Sequence, residues 1–431
     1  MLDIQFIRDN PELVEEKSKQ KGYQVDIEKL LSVDEKRRAL IVNIDTARSE
    51  VNSRTAGFAG KPPSEADKEV VRIIKADIKV KEEELEKLNL QYWTLLKAVP
   101  NMPLKSVPVG STENENVVIK SVGEKPIFDF KIKNHASIAE AKGWIDRERA
   151  VKIAGARFVY IKGDLVRLEW ALNRYGMDVL SNSNVLEKIA KENKLDVSSK
   201  AFVPVLPPAV AKKEVFEATG RLNREEQTYK FEDVDLWVNA SAEHTLAPMY
   251  MSETLNEDEL PIRYIGFTTA FRKEAGTYGK DTEGMFRLHQ FNKLEMESFC
   301  TPESSLSEHL FMVAIQEYLM QQLGLPYHVL EKCTADIGRP NAKGVDIEAW
   351  LPSQETYRET HTADFIGDYQ SRAMKTKLKL KDGTTKFVHT NDATVFAQRP
   401  LIAIIENYQT KDGDVLVPEV LQPYMNGKKE I

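Results

Sequence analysis

Residues 271–295 read FRKEAGTYGKDTEGMFRLHQFNKLE. Alternating side chains on either side of a Gly-bearing middle predict a β-hairpin with a long loop. In the incoming strand, which begins at Tyr264, Ile265, Phe267, Thr269 and Phe271 share one face, and Arg272 and Glu274 fall on the other. The returning strand sets Arg287, His289, Phe291, Lys293 and Glu295 on a single face. Two arginines, two glutamates and an aromatic ring then crowd one sheet surface. Charges there are costly unless solvated, paired or held for a ligand. A ligand with phosphates, an amine and a flat ring would use all of them. The plainer reading is an exposed ladder of weak cross-strand pairs.

The order Phe-Arg-x-Glu, Gly-bearing loop, Arg-x-His-Gln-Phe-x-Lys-x-Glu resembles motif 2 of class II aminoacyl-tRNA synthetases, in the spelling of the seryl-tRNA synthetase family. The resemblance implies an α+β fold. Its core would be a class II antiparallel sheet flanked by helices, preceded by an N-terminal antiparallel coiled-coil arm. Further matches lie on both sides. FVPVLPP, 202–208, is similar to motif 1, which builds the dimer interface in that family, with Pro207 as its marker. Asn239-Ala240-Ser241-Ala242-Glu243 resembles the family's Thr-Ala-Glu signature, with Ser241 in place of Thr. RPLIAIIENYQ, 399–409, resembles motif 3.

Composition is compatible with this. The 431 residues exceed one ordinary core, so two domains are expected, 1–108 and 109–431. With 42% hydrophobic and 29% charged residues, and no apolar run long enough for a bilayer, the chain reads as soluble with no membrane partner. Its start, MLDIQFIRDNPELVEE, is acidic where a secretory signal would be basic. Cys300 and Cys333 are too few for a disulfide framework or a multi-cysteine zinc site and suit a cytoplasmic location. The net charge of −7 requires any nucleic-acid contact to come from local basic patches.

Such a patch is present near the N-terminus. Leu40, Ile44, Ala47 and Val51 form one helical stripe. Gly57, Gly60, Pro62 and Pro63 break it, and Ser64 is placed to cap a second helix. There Val71, Ile74, Ile78, Lys81, Leu85, Leu88, Tyr92, Leu95 and Val99 repeat at alternating spacings of 3 and 4, a heptad seam ending at Pro100. Arg37, Arg38, Arg48, Arg54, Lys61, Lys68, Arg72, Lys75 and Lys79 are expected in the outer part of this helix pair. Such charges are commonly a solvated surface. The resemblance implies instead an arm that holds tRNA, with Arg48, Arg54, Lys61, Lys68, Arg72 and Lys75 as its contacts. Residues 104–125 read as a linker, and 306–323 as an amphipathic scaffold helix.

The resemblance also assigns roles. L-serine would attack the α-phosphate of ATP, and the seryl group would pass to the 3′-terminal adenosine of tRNA(Ser), with tRNA(Sec) an open second acceptor. Arg272 would bridge the α-phosphate and the serine carboxylate. Glu274 would accept from the adenine amino group, Phe291 and Arg399 would sandwich the ring, and Arg287 would meet the outer phosphates. Glu359 and Thr362 would hold Mg2+, within a segment, Thr360–Asp364, that departs from the family's Ser-rich spelling. Glu295 would take the serine ammonium. Ser241, Glu243, Thr394 and either Asn391 or Asp392 would read the serine hydroxyl. The loop 276–284 would move between ATP binding and tRNA acceptance, and the enzyme would be a homodimer. Two rivals are a related ligase that loads another acceptor and a non-catalytic RNA-binding relative.

Overall fold

The computed structural model describes residues 1–58, 62–222, 228–274 and 284–431. Lys61 and all but the last residue of the 276–284 loop therefore lie outside the described residues. The chain divides into two compact units, Met1–Met102 and Pro103–Ile431.

The first unit is helical. Short helices α1 (Ile4–Asp9) and α2 (Pro11–Gln20) precede two long ones, α3 (Ile27–Ala56) and α4 (Glu65–Ala98). Ser64 does cap α4, in a reciprocal capping box with Asp67. Leu40, Ile44, Val51 and Ile78 form the buried seam between α3 and α4, flanked by Ala47, Val71, Ile74, Leu85 and Leu88. Lys81, the polar break in that seam, turns aside to pair with Asp77 at 2.7 Å. Two of the basic residues are not in the outer part. Arg37 lies over the Tyr92 ring at 4.3 Å, and both Arg37 and Arg38 pair with the buried Asp34, which Arg8 also clamps.

The second unit is built on an eight-stranded sheet. Its strands in chain order are β1 (Val117–Val122), β2 (Val203–Val205), β3 (Ile262–Phe271), β4 (Gln290–Cys300), β5 (Tyr327–Glu331), β6 (Lys343–Leu351), β7 (Thr356–Gly367) and β8 (His389–Phe396). Across the sheet they run β1-β5-β6-β7-β8-β4-β3-β2. Every pair is antiparallel except β2 with β3, which is parallel. The segment 104–125 is thus more than a linker, because β1 forms the sheet's edge against β5. Its side chains are exposed on both faces, so no apolar alternation marks it as a strand.

Three helices pack against the central strands of this sheet: α5 (Asp164–Leu180), α6 (Ser305–Gln322) and α7 (Gln398–Asn407). The second is not simply amphipathic. Leu306 and Leu310 are exposed, whereas Glu308, His309 and Gln316 are buried. Each buried polar group has a partner that ties the helix to the sheet. Glu308 takes Arg263 of β3 at 2.5 and 2.9 Å. Gln316 donates to the Thr362 and Thr394 carbonyls, both at 2.8 Å, and His309 bonds the Ala363 carbonyl at 3.1 Å. Buried hydrogen bonds of this kind fix strand position more tightly than apolar contact does.

The hairpin's return is anchored by glycine. At Gly284 φ is +63° and a Cβ would stand 2.4 Å from His135 Nε2, so no side chain fits. The same histidine meets Glu406 of α7 through Nδ1, at 2.9 Å.

Candidate active site

The hairpin is β3 and β4, in register Gly266↔Glu295, Thr268↔Lys293 and Ala270↔Phe291. Phe291, Lys293 and Glu295 share a face, as alternation requires. Arg272 and Glu274, expected inside the strand, lie just beyond it. One more ladder bond, Arg272 N–H to the His289 carbonyl at 2.9 Å, carries the pairing past β3. The backbone then turns left-handed at Glu274, φ +48°, and its carboxylate swings back to Arg287 Nη1 at 2.7 Å. Arg287 and His289 precede β4, and the His289 ring bonds the Arg272 carbonyl at 2.8 Å.

A cavity of about 280 Å3 opens here, lined among others by Arg272, Glu274, Phe286, Arg287, Phe291 and Arg399. Phe286 lies beneath two guanidinium groups, Arg358 at 4.1 Å and Arg399 at 4.9 Å, and Arg272 stands 5.2 Å from the Phe291 ring. Arg399, at the first turn of α7, pairs with Glu359 of β7 at 3.1 Å. Burial lowers the proton affinity of Arg272 against the pull of Glu274, Glu295 and Glu359. A guanidinium stripped of water in this way is ready to take an anion. At Glu359 burial raises the pKa, but Arg399 and Lys332 outweigh it and hold the carboxyl down to about 2.

The oxygens beside Glu359 suit a hard cation. Thr362 stands directly across the β6–β7 ladder from Asp346. Lys332 approaches one Asp346 oxygen at 3.6 Å. The other, Oδ1, and the Thr362 hydroxyl are buried, and among the described residues they have no hydrogen-bond partner other than each other. Glu359 lines the cavity. Among the described residues no cluster of three or more His, Cys, Asp or Glu could hold a metal by itself. Mg2+ takes one or two carboxylates and completes its shell with substrate phosphates and water.

A second cavity of about 500 Å3 shares Arg272, Glu359 and Arg399 with the first and continues to Ser241, Glu243 and Glu295. Gly266 permits this. A Cβ there would stand 2.5 Å from Leu246, so the Ala242–Leu246 turn could not rest on β3. Glu295 is buried and ringed by donors: Lys293, the Ser241 hydroxyl and the Ala242 amide at short range, and the Glu243 amide at 3.2 Å. The Ser241 hydroxyl is therefore spent on Glu295. Burial raises the Glu295 pKa, yet Lys293 and these donors bring it below the usual carboxylate value. Glu243 Oε1 is occupied as well, by Gln370 at 2.7 Å and Arg221 Nε at 2.8 Å.

Of Asn391 and Asp392, only Asp392 faces the cavity. Strand alternation turns Asn391 to the other face of β8, where its amide donates to the Ser305 carbonyl at 3.2 Å. A role for Asn391 in reading a substrate is thereby corrected. Thr394 lies on the Asp392 face and lines the smaller cavity.

Arg221 was not singled out by its sequence, nor were Asp364 and Phe286. Arg221 follows a left-handed helix cap at Gly220 in a segment with no periodic signal. A signal did exist for the strand itself. Lys293, Glu295 and Glu297 occupy one face of the buried part of β4, opposite Leu294 and Met296, and such a run of charge demands partners.

On the first unit, Arg48 pairs with Glu82, Arg54 with Glu50, Lys68 with Glu65 and Arg72 with Glu69, all at 2.6–2.9 Å on exposed surface. Exposed pairs of this kind are weak and exchange readily for phosphates. Lys75 is also exposed.

Comparison with known proteins fits both units. The family profile described as "Seryl-tRNA synthetase N-terminal domain" matches residues 1–103, and "tRNA synthetase class II core domain (G, H, P, S and T)" matches 229–408. A serine–tRNA ligase of Thermodesulfovibrio yellowstonii is 40% identical over 99% of both chains. Among solved structures, a seryl-tRNA synthetase of Pyrococcus horikoshii complexed with ATP superposes with TM-score 0.87 at 35% identity, covering 100% of this chain and 99% of its own. A cytoplasmic serine–tRNA ligase of Naegleria fowleri in complex with AMP gives 0.83 at 31%, covering 100% and 98%. With this agreement along its whole length, the chain belongs to the seryl-tRNA synthetase family.

Proposed function

We propose that the chain activates L-serine with ATP, releasing pyrophosphate, and then transfers the seryl group to the 3′-terminal adenosine of tRNA(Ser). The observation that carries this is the continuity of the two cavities. A phosphate-ready cluster of Arg272, Arg287 and Arg399 opens into a pocket floored by Glu295.

ATP would lie with its ring against Phe291 and Phe286, covered by Arg399, and its adenine amino group toward Glu274. Arg287 would meet the outer phosphates. Arg272 would hold the α-phosphate and the serine carboxylate together, placing nucleophile and phosphorus for in-line attack. Its fixed charge would stabilise the negative charge that builds on the transferring phosphorus. Glu359 and Thr362, with Asp346 behind them, would hold Mg2+. Bound there, the cation neutralises phosphate charge. Glu295 would orient the serine ammonium. No side chain need form a covalent intermediate.

The first unit, 1–108 by its sequence boundary, would serve as the tRNA-holding arm, through Arg48, Arg54, Lys68, Arg72 and Lys75. The catalytic unit would pair as a homodimer in the cytoplasm. No described helix is long and apolar enough to cross a membrane.

The arm gives a direct test. Deleting residues 30–100 should leave serine-dependent ATP–pyrophosphate exchange intact and abolish charging of tRNA(Ser). Full charging by the truncated protein would remove the arm from the account.

A further inference from the structure

We propose that Arg221 is a specificity-determining residue for the amino-acid substrate: with Asp392 it reads a side-chain group that both accepts and donates a hydrogen bond, a hydroxyl.

This rests on the reading of the site as a serine-activating one and adds to it the residue that selects serine. Arg221 lines both cavities. Its fork is held in three directions. Nε donates to Glu243 Oε1 at 2.8 Å, while Nη2 lies between Asp392 Oδ1 at 3.4 Å and Asp364 Oδ2 at 3.6 Å. The third nitrogen, Nη1, has no partner among the described residues. It stands over Gly338, where a Cβ would be 3.5 Å away. The side chain keeps 18% of its surface exposed, while the three acids beside it are nearly sealed.

A planar guanidinium fixed at two corners presents its remaining N–H groups in a set direction. Glu243 is itself locked by Gln370 and by its own amide on Glu295. The cage is therefore rigid and tied directly to the carboxylate proposed for the substrate ammonium. Arg221 and Asp392 both line the larger cavity, so a substrate group at its amino-acid end meets a guanidinium donor and a carboxyl together. A hydroxyl satisfies both. A methyl group offers neither a donor nor an acceptor, and sites built to bond a hydroxyl reject its absence by about 10⁴-fold or more. An ammonium only donates and would face the Arg221 charge. A thiol pairs weakly with either.

An alternative is that Arg221 is only a strut neutralising buried acids. The test separates the two by asking whether serine and ATP respond together. Exchange kinetics on the full chain would be measured for Arg221→Lys, which keeps the charge in the cage but not the fork, and for Arg221→Gln. We expect the KM for serine to rise at least tenfold, the KM for ATP to stay within twofold, and the preference for serine over alanine to fall at least tenfold. Unchanged serine KM and preference in the folded Lys variant would overturn the proposal, as would serine and ATP constants rising in parallel.

The wild-type protein supplies a check that needs no variant. Serine should exceed both alanine and L-2,3-diaminopropionate by at least about 10³-fold in exchange. Comparable exchange with the diamine would overturn the hydroxyl assignment. Absence of serine exchange itself would instead strike at the serine-activating reading.

Discussion

The nucleotide end and the amino-acid end of the cavity carry opposite charge balances. At the nucleotide end Arg272, Arg287 and Arg399 face Glu274 and Glu359, leaving cations in excess. At the amino-acid end Glu243, Asp364 and Asp392 gather around Arg221, with Glu297 behind them. The first arrangement is built for a polyanion. The second cannot keep all of its acids ionised, because burial and mutual repulsion raise the pKa of Asp392 and Glu297 well above the ordinary range. On the proposed reading, one cleft would offer its phosphate and hydroxyl groups different charge balances.

The sharpest way to break this contrast is at Arg272. Arg272→Ala should lower serine-dependent exchange about 10³-fold, the cost of losing a charged donor to a developing anion, while circular dichroism stays native. Near-wild-type exchange would remove Arg272 from the reacting centre.

Acid should act on the frame of the amino-acid end. Burial lowers the His309 pKa to about 4, against an ordinary 6.5, where its ring holds the Ala363 carbonyl next to Asp364. Above pH 6.5 the ring is neutral in both folded and unfolded chains. Below it the unfolded chain takes up the proton first, so stability falls as pH drops from about 6.5 to about 4. The loss is about 3 kcal/mol from this one group. Denaturant titrations across that range measure it, and a flat profile, matched by His309→Gln, would contradict it.

A smaller effect distinguishes neighbours on β8. Asp392→Ala should raise the serine KM about tenfold, as expected for one lost buried hydrogen bond to a substrate, and spare the KM for ATP. Asn391→Ala should leave both constants alone and lower only thermal stability. The reverse pattern would mean that the strand's faces are exchanged in solution.

The smallest effect is expected at Glu297. Both of its carboxylate oxygens are buried without a hydrogen-bond partner among the described residues. A neutral acid in that position should be matched by Glu297→Gln, with a Tm within about 2 °C of wild type at pH 7. A much larger fall would reveal an ionised carboxylate.

The nucleotide end was readable because its residues sit in contiguous, patterned stretches. Arg272, Glu274, Arg287 and Phe291 all belong to one hairpin, and Arg399 begins a helix whose apolar run is plain. Strand alternation places such residues without further information. Arg221, Asp364 and Asp392 converge from three segments far apart in sequence, and their meeting depends on strand register and on which way β8 faces. A single residue of register separates Asn391 from Asp392, and local pattern cannot choose between them. The helix Ser305–Gln322 misled for a related reason. Its buried face is chosen by Arg263 and by strand carbonyls, so polar residues point inward while Leu306 and Leu310 face out. The edge strand β1 left no trace because neither of its faces is buried. In the arm, by contrast, the heptad spacing and the Ser64 cap are local features, and both appear in the structure.

The most direct measurement is ATP–pyrophosphate exchange by the full chain with Mg2+ and each standard amino acid in turn. The account predicts exchange with serine alone. Exchange driven by another amino acid, or none at all from folded protein, would contradict it.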